Sequence, residues 1–179
     1  MEKVVQLDNV YRSNSYNDYK WIDPKLIVVA QWVRMKCMYG CAEYGRNASC
    51  PPNVPSIFES ERFFKDYEKA TVFHFQKAFK NPDDRHKWSH KINTQLLALE
   101  REVFISGYPK AFMLFMDSCS RCKECAGDRK LCKEPKWIRP TPEAMGVDVF
   151  STMRRIGYPI EVLEDYKMTM NRYAILMVE

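Results

Sequence analysis

Thr71-Val-Phe-His-Phe-Gln76 is a run of β-branched and aromatic residues, and Asp83 soon opens a very different segment reaching Ser106. In that segment Trp88, Ile92, Leu96, Leu99 and Val103 recur at helical spacing before Gly107 stops the pattern. Lys110 to Met116 is again a short apolar run, the mark of a buried strand. This strand–helix–strand passage decides the fold class. Working outward, Arg172 to Val178 reads as a closing apolar strand, and Ser56 with Glu59 three residues later is a capping box opening a helix towards Lys69. Asp23-Pro24 reads as an N-cap with proline at the first helical position, predicting a helix to about Met35 that delivers Cys37 just past its end. Thr141-Pro142-Glu143 predicts a further helix to Arg155, stopped by Gly157. The expectation is an α/β or α+β fold: one domain over residues 1–179, a sheet covered by helices, with two cysteine-rich cluster-binding loops leaving the ends of ordinary elements.

With 179 residues, 46% of them apolar, the chain can bury a core of its own and is short for two domains. The apolar runs Leu26–Ala30 and Ala111–Met116 are far too short to cross a bilayer. Met1-Glu2-Lys3-Val4-Val5-Gln6 lacks the basic-then-apolar pattern of a secretion signal, so a cytoplasmic protein is expected. The formal charge of +5 permits docking to an acidic partner without requiring it.

Seven cysteines fall in two groups, Cys37, Cys41 and Cys50, then Cys119, Cys122, Cys125 and Cys132. An odd number cannot pair fully within one chain, and crowded thiols in a reducing compartment point to metal rather than disulfides. Cys119-x2-Cys122-x2-Cys125 matches the first three positions of a bacterial ferredoxin run, while Cys132 follows six residues later instead of three. A zinc ribbon needs two separated C-x2-C knuckles, which this group is not, so a 4Fe–4S cluster ranks ahead of zinc. In the first group, Gly40 and Gly45 supply turns and Pro51-Pro52 fixes the exit. Seven thiolates cannot give two cubes four cysteines each. The expectation is one or two clusters, with Cys132 free to complete either and one iron of a second cube held by another group or left open as a Lewis acid.

Two functions follow: electron transfer, or an enzyme whose open iron binds a small substrate, with Glu43, Tyr44 and Arg46 as neighbouring contacts. A zinc-stabilised interaction module is a third. His86 and His90 share a helix face but have no accompanying ligand set, so they read as solvent-facing, and His74 reads as a core histidine or a conceivable fourth ligand. The basic stretch Arg121, Lys123, Arg129, Lys130, Lys133, Lys136 and Arg139 would balance thiolates or dock an acidic redox partner. Trp137 alone is no stacking platform, and no nucleic-acid motif occurs, so a nucleic-acid partner is not expected. A dimer is conceivable, with no heptad to mark it. There is no phosphate loop, G-x-G-x-x-G or nucleophile elbow, and C-x3-C-x8-C differs from the radical S-adenosylmethionine loop.

Cys37-x3-Cys41-x2-Tyr44-Gly45-Arg46-x3-Cys50-Pro51-Pro52, Gly107-Tyr108-x-Lys110-Ala111, the Cys119–Cys132 group, Pro135, and Arg139-Pro140-x-Pro142-Glu143-Ala144-x-Gly146-Val147-Asp148-Val149 together resemble a family of small cysteine-rich proteins from anaerobic bacteria and archaea, described as predicted metal-binding proteins of unknown function. The resemblance spans about Val33 to Gly157 and implies metal binding by these cysteines, without a reaction.

Overall fold

The computed structural model describes residues 2–81, 83–165 and 167–179, with side chains from residue 6 onward. Alternating apolar residues build a four-stranded, wholly antiparallel sheet from β1 (Tyr19–Ile22), β2 (Ala70–Lys77), β3 (Phe112–Leu114) and β4 (Met170–Met177), in the order β1-β2-β4-β3. The fold is therefore α+β, since every described strand pair is antiparallel. Register pairs Phe73 with Ala174 and Met113 with Leu176 on one face, and Val72 and Leu114 with Ile175 on the other.

Helices cover both faces. Leu7 and Tyr11 of α1 (Glu2–Ser13) and Leu96, Leu99 and Val103 of α4 (Asp83–Ile105) pack on Phe73, Met113 and Leu176. Phe64 of α3 (Ile57–Lys65) and Met153 of α5 (Val149–Arg155) pack on Val72, Leu114 and Ile175. The Ser56–Glu59 capping box is formed in both directions, though its helix ends at Lys65 rather than Lys69.

Two expected helices are shorter and displaced. Asp23 does cap, but Pro24–Leu26 makes only a 3-10 turn, because Val28 and Val29 are drawn out to pair with the 147–148 segment. The helix that follows, α2 (Gln31–Gly40), carries Cys37 inside its last turn instead of past its end. Residues 142–146 are turns, with Gly146 at φ +80°; helix begins only where Asp148 accepts from the Ser151 N–H. No described helix is long and apolar enough to cross a membrane.

Candidate functional site

One stripe of α4 is polar where the apolar pattern predicts core. Ser89, Asn93 and Glu100 are buried, and each holds the segment running from Asp117 to Arg139. Ser89 Oγ donates to Asp117 Oδ2 at 2.9 Å, and Asn93 Nδ2 donates to the Asp117 carbonyl at 3.0 Å. At the segment's far end Arg139 donates twice to Glu100, Nε to Oε2 at 2.8 Å and Nη2 to Oε1 at 2.5 Å, while the Met113 N–H donates to Oε2 at 2.7 Å. The second cysteine loop is thus pinned at both ends to a helix of the core.

The first cysteine loop leaves α2 with Cys41 as its C-cap and folds through consecutive turns, Gly45 at φ +75°. Arg34 holds it from behind, its Nη2 donating to the carbonyls of Pro55 and Ala144 at 3.0 Å each. The two loops lock together. Asn47 Nδ2 donates to the Cys119 carbonyl at 2.8 Å, Asn53 Nδ2 to the Gly127 carbonyl at 2.8 Å, and the Ala48 N–H to Cys125 Sγ at 3.3 Å. Gly127, at φ +70°, lies against the Gly45 and Arg46 carbonyls of the first loop, within van der Waals contact of where a side chain would begin.

Cys119, Cys122, Cys125 and Cys132 line one small pocket with Asn47 and Ala48. Cys132 therefore sits with its own group. Burial pushes the Cys119 thiol up, the nearby Cys125, Cys122 and Cys132 adding to the rise against a backbone hydrogen bond from Arg121 that lowers it. Burial likewise lifts Cys50 to about 11, with Cys37 and Cys41 adding to it, so the first three thiols neighbour one another too. Cys37 is raised by burial, eased by the Arg34 guanidinium. All seven are free thiols, and among the described residues no three His, Cys, Asp or Glu side chains close to the span of a single metal ion.

Cys37 and Cys41 also line a cavity of about 530 Å³ that the sequence does not announce. Its other walls come from α2, Met116, the 143–150 segment and residues 160–163 and 170–173. Glu143, Lys36 and Arg172 contribute to the lining, whereas Glu43, Tyr44 and Arg46, the contacts expected from adjacency, do not. Burial raises the Glu143 carboxyl above its usual range, against lowering by a hydrogen bond from its own backbone, by the Arg172 guanidinium and by a hydrogen bond with Thr141. Glu143 neighbours Cys37, which lies far from it in sequence, and this is why adjacency reasoning missed it.

The histidines stay apart from the thiol groups as ligand sets. His74 is half-buried in β2 with its side chain largely covered, its ring nitrogens 2.6 Å from Asp18 Oδ2 and 2.8 Å from Asn171 Oδ1, as a satisfied core histidine should be. His86 is exposed; His90 is half-buried and borders a pocket with Cys119 and Arg121. Of the basic stretch, Arg121, Lys123, Arg129, Lys130, Lys133 and Lys136 are exposed, with Arg121 stacked on Trp137 at 4.6 Å. Arg139 is not part of that surface, being turned inward to Glu100.

An antiparallel sheet with helices on both faces, carrying two interlocked loops of free thiols, defines an α+β protein built around a cysteine-rich site. The chain belongs to the family described as predicted metal-binding protein (DUF2284), whose family model matches residues 20–178. No curated protein and no solved structure matches it. Metal binding is the property the family brings; its description names no reaction.

Proposed function

We propose that this single-domain protein is a cytoplasmic iron–sulfur protein whose second loop holds a 4Fe–4S cluster through Cys119, Cys122, Cys125 and Cys132, and that it transfers electrons. One observation carries the reading: four thiols of one loop line a common pocket, and the other loop donates a backbone N–H to one of the sulfurs. The donor set fits. A lone tetrahedral zinc would draw its thiolates to within about 4 Å of one another. A cube places each thiolate on a different iron and so spaces them more widely, which three cysteines at two-residue intervals with a fourth beyond can supply. When bound, such a cluster accepts and releases single electrons at a potential set by hydrogen bonds to sulfur and by exposure.

The chain's own residues suit that role. The Ala48 N–H on Cys125 favours the more negative, reduced form. Cys125 is exposed, so the cluster edge would lie near the surface. The six exposed cations from Arg121 to Lys136 offset the cluster's negative charge and offer an acidic redox partner a docking surface.

A second reading is favoured by the cavity. Cys37, Cys41 and Cys50 supply three thiolates to a second cluster, and Cys37 and Cys41 face about 530 Å³ of space. An enzyme acting on a small molecule at a three-cysteine cluster is then the alternative.

Anaerobic purification with iron, sulfide and zinc analysis tests both. About eight irons with matching sulfide supports two cubes, and about four supports one. Cys122→Ser should remove the second-loop cluster, Cys41→Ser should remove only first-loop iron, and His90→Ala should change neither. Stoichiometric zinc without sulfide would overturn both iron readings in favour of a zinc-stabilised interaction module.

A further inference from the structure

We infer that the cavity beside Cys37 and Cys41 is a binding site for a small organic carboxylate with an apolar body, its carboxylate held by Arg172. At about 530 Å³ the space falls within the range of small-molecule sites, which are mostly apolar with a few convergent polar groups. Trp32, Val33, Met116, Val149, Phe150 and Met170 supply the apolar wall. The charged side chains in the lining are Lys36, Arg172, Glu143, Asp148 and Glu161, and they are not equivalent.

The three acids are already engaged or outside. Asp148 caps α5, accepting from the Ser151 N–H at 2.9 Å and from Ser151 Oγ at 2.6 Å. Glu143 has its hydrogen bond with Thr141. Glu161 is exposed at the rim. Arg172 differs. It is half-buried in β4, and although the Glu143 carboxyl feels its charge, among the described residues its guanidinium makes no hydrogen bond and no ion pair within 4 Å. A guanidinium drawn partly out of water without an acceptor carries a desolvation cost that an arriving anion repays. Its planar fork matches a carboxylate bidentately, and Lys36, exposed beside the opening, adds a second positive charge. Inorganic phosphate would satisfy the charge but leave the apolar wall unused.

This inference rests on the cavity alone and stands whether or not iron sits at Cys37, Cys41 and Cys50. If it does, the carboxylate is the substrate class of the enzymatic reading, its body lying against those sulfurs.

The test uses the anaerobically purified full chain and ligand-observed NMR titration with hexanoate and phenylacetate, their neutral amides, and inorganic phosphate, with iron measured in every sample. The expected result is saturable binding of the carboxylates, weakened at least tenfold in the amides and in Arg172→Met, and partly kept in Arg172→Lys. Val162→Trp, at a 76% exposed position of the rim, blocks the opening without touching the sheet and should abolish binding even if Arg172→Met folds poorly. Equal binding of amides, equal binding of phosphate, unchanged binding in Val162→Trp, or no binding of either carboxylate overturns the inference. Carboxylate binding by iron-free protein upholds it while the iron reading falls.

Discussion

Glu100 and Arg139 form a two-bond ion pair whose side chains are only 10% and 21% exposed, and replacing Arg139 by Met strips Glu100 of both bonds. The carboxylate would keep only the Met113 N–H at 2.7 Å. Each lost bond is charge-assisted, worth about 1.5–3 kcal/mol net, and breaking a buried pair one-sidedly costs about 3–5 kcal/mol. The two routes agree, so Arg139→Met should lose about 3–5 kcal/mol in urea unfolding of reduced, chelator-treated protein followed by tryptophan fluorescence. With a slope of about 2–3 kcal/mol per M, the midpoint falls by more than about 1 M. Glu100→Gln keeps an acceptor for the Met113 N–H while removing the charge, so Glu100→Gln/Arg139→Met should recover part of the loss. A single-variant cost below about 1 kcal/mol, or a double variant no more stable than Arg139→Met, would refute the claim that this pair pins the loop.

Gly146→Ala should cost about 2 kcal/mol or more, since φ is +80° and the new Cβ would meet Ile57 Cδ1; thermal unfolding checks it. Asn47→Ala removes the bond to the Cys119 carbonyl and the acceptor for the Ser49 N–H and hydroxyl, so anaerobically loaded iron should be lost several-fold faster to a chelator, read by visible absorbance. Metal-free protein should lose stability as pH rises from 9 to 11. Cys50 is lifted in the fold from 9.0 to about 11, so the folded state holds a proton that the unfolded chain releases, and that stabilisation is complete below 9 and spent above 11. Iron-loaded protein, its thiolates already ionised, should show no such loss in the same pH series of urea midpoints.

Much of the sheet is legible because its signals are local. The expected strand at Thr71–Gln76 is Ala70–Lys77, the expected helix at Asp83–Ser106 is Asp83–Ile105, and Arg172–Val178 is Met170–Met177. The misses have one physical origin, a partner distant in sequence. Strand β1 is four residues at a sheet edge, defined by pairing to β2, and α1 is held chiefly by Leu7 and Tyr11 against that same sheet. Asp23-Pro24 is a sound start signal, but the Asp148 N–H donates to the Val28 carbonyl and the Val28 N–H to Thr152 Oγ1, and those bonds stop a helix there. Thr141-Pro142-Glu143 fails similarly: Gly146 takes a left-handed turn so that its carbonyl can receive the Ala30 N–H.

The thiols themselves were visible as spacing; what surrounds them was not. Ser89, Asn93 and Glu100 interrupt an apolar helix face, and a polar residue at core spacing with no local partner is itself a signal that something must be held there. On α4 that something is the second cysteine loop, gripped at Asp117 and Arg139, and through Asn47 and Asn53 the first loop is gripped in turn. Among the described residues neither loop contributes to the two core clusters, so their shape depends on these few polar bonds and, under the proposed reading, on metal. That arrangement leaves Cys125 of the second loop exposed, while Cys37 and Cys41 of the first face the cavity.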